Sequence, residues 1–103
     1  MDKLDFMFNL QTELQNKLGT WEKIKDESDR QKFVNQMILA IHEETVEIMK
    51  ETGYKNPDYV KFGWKKGQQW NLQKYKEEII DLFHFVMNLC LVVDMNSTEF
   101  YKI

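Results

Sequence analysis

At 103 residues the chain has room for one domain with a modest core, and three long helices would consume nearly all of it. Seventeen acidic side chains against 14 basic ones leave a net charge of -3, which argues against a duplex nucleic acid partner, since phosphates require a net basic face. The single Cys excludes an internal disulfide and suits a reducing cytoplasm; no apolar run is long enough to predict a membrane span, and the opening MDKLDF lacks the form of a signal peptide.

Residues 3–18 predict an amphipathic helix, because Leu4, Met7, Leu10, Leu14 and Leu18 recur at three- or four-residue steps and Gly19 follows. Gln11 and Gln15 lie beside that stripe and, by pattern alone, read as solvated surface. Thr20–Arg30 reads as a connection or short helix, with Trp21 as a hydrophobic anchor and Ser28 or Asp29 as cap of the next element. Residues 31–52 predict the second long helix. Its apolar face runs through Phe33, Met37 and Ala40 or Ile41 to Ile48, and continuing the step from Ala40 reaches Glu44 and Glu47. Glu43 and Glu51 fall off that seam and read as solvated. His42 has no second His or Cys near it and reads as a surface or structural residue.

Residues 53–72 hold the only Pro and three of the four Gly, so they predict a loop with one helical turn after Pro57. The loop mixes Tyr54, Tyr59, Phe62, Trp64 and Trp70 with Lys55, Lys61, Lys65 and Lys66. Such a mixture can form a lid over a base and phosphates. The commoner arrangement packs the rings on the core and leaves the ammonium groups in water. Residues 73–95 predict the third helix, where twelve of the fifteen residues from Ile79 to Val93 are apolar. The exceptions, Asp81, His84 and Asn88, form one polar stripe, which Glu78 extends by a turn. Cys90, inside the apolar run, reads as a buried small hydrophobe. Ser97 is placed to cap a last piece, Thr98–Ile103. No strand-like alternation occurs, and the expected fold class is all-α: an antiparallel helical bundle completed by oligomerisation.

Two predicted helices thus each place a pair of acids, i and i+3, on an inward seam: Glu44 with Glu47, and Glu78 with Asp81. Four facing carboxylates repel unless protonated or matched by a cation. Oxygen-only ligands favour a hard ion, Mg²⁺ first and Mn²⁺ second. A di-iron centre fits less well, because such bundles carry Glu-x-x-His on two helices; His84, three residues after Asp81, keeps that option open. The plainer reading pairs these acids with lysines on solvated faces.

The pattern E-T-V-E at residues 44–47 followed by E-I-I-D at 78–81 resembles the all-α nucleoside triphosphate pyrophosphohydrolases, which include MazG-like enzymes and dimeric dUTPases. The continuation D-L-F-H-F, 81–85, resembles the dimeric dUTPase branch; so do L-Q-T-E-L-Q-N, 10–16, and G-W-K-K, 63–66. The resemblance implies that Glu44, Glu47, Glu78 and Asp81 hold Mg²⁺, with Glu44 and Glu47 the catalytic acids and Glu44 orienting the attacking water. It implies that Gln11, Gln15, Trp64, Lys65, His84 and Phe85 bind substrate. It further implies that dUTP or another pyrimidine dNTP is cleaved to the monophosphate and pyrophosphate, by a cytoplasmic homo-oligomer, dimer or tetramer.

The sequence departs from that branch in three respects. Thirty residues separate Glu47 from Glu78, the first helix offers Gln15 or Asn16 where the branch has Asn, and the chain ends at Ile103 where the branch continues with a basic segment. Another subunit or the Lys55–Lys66 loop is therefore expected to supply the positive charge. The alternative expectation is a catalytically weak, dUTPase-like module that binds nucleotide or a protein. A helical interaction domain without ligand is the blandest reading.

Overall fold

The computed structural model describes residues 2–51, 53–54, 65–66 and 71–103, the two short pieces through their backbone alone. Helix α1 spans Lys3–Leu18, as the spacing predicts. The Asp2 carboxylate accepts the Asp5 N–H at 2.8 Å and caps its start. Gly19 ends it in the left-handed region, at φ 69. A single tight turn, Trp21–Lys23, follows. The Trp21 and Phe33 rings pack in a T-shaped pair with centroids 5.6 Å apart, so Trp21 does act as an anchor.

Helix α2 spans Glu27–Glu51 and starts four residues earlier than the apolar period suggests. The cap explains the difference: the Asp26 carboxylate accepts the Asp29 N–H at 2.8 Å. Its carbonyl also accepts the Arg30 N–H at 3.0 Å. The expected caps, Ser28 or Asp29, both fall inside the helix, and Asp29 instead accepts the Lys25 N–H at 3.1 Å. Two extended pieces, β1 (Gly53–Tyr54) and β2 (Lys65–Lys66), pair in parallel with Gly53 opposite Lys65. The helical turn expected after Pro57, and Trp64 and the other loop aromatics at positions 59, 62 and 70, lie outside the described residues.

Helix α3 spans Leu72–Leu91 and is capped by Asn71, whose side chain accepts the Lys74 N–H at 3.1 Å. It ends four residues before the expected Met95. Asp94 turns left-handed at φ 59, and the Met95 N–H returns to the Cys90 carbonyl at 2.9 Å. Helix α4 spans Ser97–Lys102; Asn96 caps it in place of the expected Ser97, accepting the Glu99 N–H at 2.9 Å. The class is all-α, a helical bundle, and no helix among the described residues is long and apolar enough to cross a membrane.

The chain groups into two units, Met1–Ile38 with His84–Ile103, and Leu39–Phe83. In the first, Phe8, Met87, Cys90 and Val92 form the apolar core. Phe8 packs against Phe100 at 5.7 Å between centroids, and the Ser97 hydroxyl donates to the Asp5 carboxylate. Here the expectation for α1 is overturned. Its buried face is Phe8, Gln11 and Gln15. Phe6, Leu10, Leu14 and Leu18 stay 57%, 49%, 44% and 59% exposed. The glutamines can be buried because each amide finds a partner, which removes most of the desolvation cost. In the second unit Glu78 is the one residue that is fully buried among those described.

Candidate functional site

In the second unit the period of α2 decides which acids meet those of α3. The half-buried seam runs Ile41, Glu44, Ile48, Glu51, a step of three followed by a step of four and another of three. Glu47 falls beside this seam. It is exposed, with its carboxylate 3.8 Å from the Lys50 ammonium. From α3 come Glu78, buried, and Asp81, exposed. One carboxylate oxygen from each of Glu44, Glu78 and Asp81 lies within 4.8 Å of the others. The quartet expected from the two i, i+3 pairs is therefore a trio, with Glu47 outside it. Glu51, expected in solvent, is on the half-buried side.

The electrostatics of the trio are strained by like charge. Burial first, then the hydrogen bond and charge of Glu78, with Asp81 and Glu47 behind, push the Glu44 carboxyl from its ordinary 4.5 up to about 7. Glu78 moves the other way. Its hydrogen bonds with Glu44 and then Lys74 hold it below its ordinary value, although burial opposes this. One proton is thus shared between the two and resides on Glu44. The Lys74 ammonium sits 3.1 Å from Glu78, and that hydrogen bond raises the lysine above its ordinary range. Glu44 Oε1 is buried with no hydrogen-bond partner. Three carboxylates, one of them with a buried oxygen that has no hydrogen-bond partner, make a donor set that a hard divalent cation fits. Lys74 was legible in advance, one turn before Glu78, but nothing in the spacing ranks it above the other lysines.

In the first unit a cavity of about 500 Å³ is lined by Gln15, Thr20, Lys32, Phe33, Phe85 and Asn88, among others. Its polar lining combines the amides of Gln15, Gln36 and Asn88 with the Thr20 hydroxyl and the charged Lys23, Asp29 and Lys32. The Thr20 hydroxyl donates to Gln15 Oε1. Gln11 Nε2 donates to Asn88 Oδ1 at 2.8 Å, and Asn88 Nδ2 donates to Met37 Sδ at 3.7 Å. Of the substrate residues implied by resemblance, Gln15 and Phe85 line this cavity, while Gln11 is buried and bonded to Asn88. His84 is exposed. Trp64 lies outside the described residues, and Lys65 is described only through its backbone pairing with Gly53. Asn88, which the sequence places on the polar stripe of α3, makes a helix-to-helix hydrogen bond and lines this cavity. Thr20 gave no signal in the sequence, because its role depends on the fold turning back at Gly19.

Among known proteins, a family model described as dUTPase matches residues 3–103. No curated protein and no solved structure matches the chain.

Proposed function

The chain belongs to the dUTPase family, and from that premise we propose that it is a Mg²⁺-dependent nucleoside triphosphate pyrophosphohydrolase. Its substrate is dUTP or a related pyrimidine dNTP, and its products are the monophosphate and pyrophosphate. The observation that carries this reading is the trio Glu44, Glu78 and Asp81 with its unpartnered Glu44 oxygen. These three would hold the cation. Glu47, one turn along α2 and three residues from Glu44, would join them when the cation draws its carboxylate away from Lys50. When bound, Mg²⁺ neutralises phosphate oxygens and makes a bound water more acidic. Glu44 presents Oε1 to the attacking water and orients it. Lys74, held by Glu78, adds one positive charge beside the acids. Gln15 and Phe85 contact the nucleoside from the cavity wall; Trp64, Lys65 and His84 complete the substrate contacts.

The family match runs through both structural units, which supports one domain over residues 1–103. The exposed apolar side of α1 supports a homo-oligomer, dimer or tetramer, and the single Cys suits the reducing cytoplasm as its setting. Incubation with a panel of dNTPs and Mg²⁺ tests the activity. Release of pyrophosphate from dUTP is the expected result. No release from any dNTP, at protein concentrations where the oligomer forms, would refute the enzymatic reading. A dUTP-induced rise in melting temperature without turnover would instead point to a nucleotide-binding module.

A further inference from the structure

Asn88 and Gln15 are buried to 5% and 7% exposure, yet both line the same cavity. Each carries one acceptor end and one donor end, and a buried amide shows a ligand whichever end the protein leaves over. The Gln15 oxygen is taken by the Thr20 hydroxyl. The Asn88 oxygen is taken by Gln11 at 2.8 Å. What remains to Asn88 is its NH₂ group, and its neighbour there is the Met37 sulfur at 3.7 Å, a weak acceptor for one of two N–H bonds. Both amides therefore have their oxygens engaged, and it is their NH₂ groups that keep spare hydrogen-bonding capacity beside the cavity. Phe33 and Phe85 add two aromatic rings to the same lining, where a planar base can stack.

We propose that Asn88 is a base-selecting residue of this protein, and that Gln11 and Thr20 are positioning residues that set the polarity of the two cavity amides. The inference rests on the reading of the chain as a pyrimidine nucleotide hydrolase and names how it chooses its base. An Asn88 N–H that faces ring position 4 of a pyrimidine donates to the carbonyl oxygen that uracil carries there. A ring carrying an exocyclic amino group sets donor against donor and leaves buried N–H groups unmatched, which is the costly direction of a hydrogen-bond mismatch. Gln11, on this account, reads the base through Asn88 and does not touch it.

The experiment compares kcat/KM for dUTP and dCTP in the wild type, Asn88→Asp and Gln11→Met. The wild type should favour dUTP by about tenfold or more. Asn88→Asp puts an oxygen where the NH₂ stood and should narrow that ratio by about tenfold or invert it. Gln11→Met keeps the bulk but frees the Asn88 amide to turn over, and should also narrow it. Simple destabilisation lowers both substrates alike and leaves the ratio unchanged, so a wild-type ratio in both variants would overturn the proposal. So would equal use of dUTP and dCTP by the wild type, which leaves the hydrolase reading intact. If the wild type hydrolyses neither, the hydrolase reading fails, and thermal shifts with dUMP and dCMP still report on the cavity. A larger shift with dUMP supports the amide polarity, and equal shifts overturn it.

Discussion

Glu44 shares a hydrogen bond with Glu78 on one side while its Oε1 lies buried without a partner on the other, and the two carboxyls titrate in opposite directions. The folded Glu44 value of about 7 lies above the ordinary 4.5, so the folded state holds more protons than the unfolded state between those pH values. Its contribution is fully present below pH 4.5 and is lost as pH rises through 7. Glu78, held below 4.5, contributes above that value and loses its share as pH falls through its lowered pKa. Without metal, the melting temperature should therefore fall between pH 5 and 8, by about 5 °C. Saturating Mg²⁺ at pH 8 should restore it, since the cation matches the charge that deprotonation exposes. Glu44→Gln should flatten both responses. A wild-type profile that is level between pH 5 and 8 would remove the argument for strain in the trio.

At the scale of elements, the helices existed in the periodicity, and beyond α1 their ends did not. Each shift at the start of a helix traces to one short polar side chain: Asp26 before α2, Asn71 before α3, Asn96 before α4. Caps are chosen among several suitable residues by the direction the chain must enter, which is a tertiary matter. Asp94 shows the same at a C-terminus, where a non-glycine residue takes φ 59 so that Met95 can return to Cys90. Glycine carries no side-chain penalty in that region. Asp94→Gly should stabilise the protein by about 0.5 kcal/mol, visible in a urea melt as a higher midpoint at unchanged slope. A lower midpoint would mean that the Asp94 side chain makes a contribution larger than its backbone cost.

For the whole molecule, the exposed side of α1 matters most. Phe6, Leu10, Leu14 and Leu18 recur every four residues and stay open to solvent, while two glutamines take the inward face. Apolar patches of this kind mark surfaces that associate. Leu10→Glu with Leu14→Glu should lower the mass measured by light scattering and leave the helical circular dichroism unchanged. An unchanged mass would show that α1 is not an assembly face.

Composition and residue spacing were enough for the class and the inventory. Helical spacing marked α1, α2 and α3, and E-x-x-E with E-x-x-D marked the acids, because i and i+3 or i+4 share a helix face whatever the fold. It could not choose between the two steps. Glu47 and Ile48 are equally good successors to Glu44 on paper, and only packing showed that the seam continues through Ile48. Nor could it tell buried glutamines from solvated ones, since burial of an amide depends on a partner elsewhere in the chain. Gln11 meets Asn88 from 77 positions away. Tertiary structure alone decides such pairings, because the free energy of burying a polar group is set by what receives its hydrogen bonds.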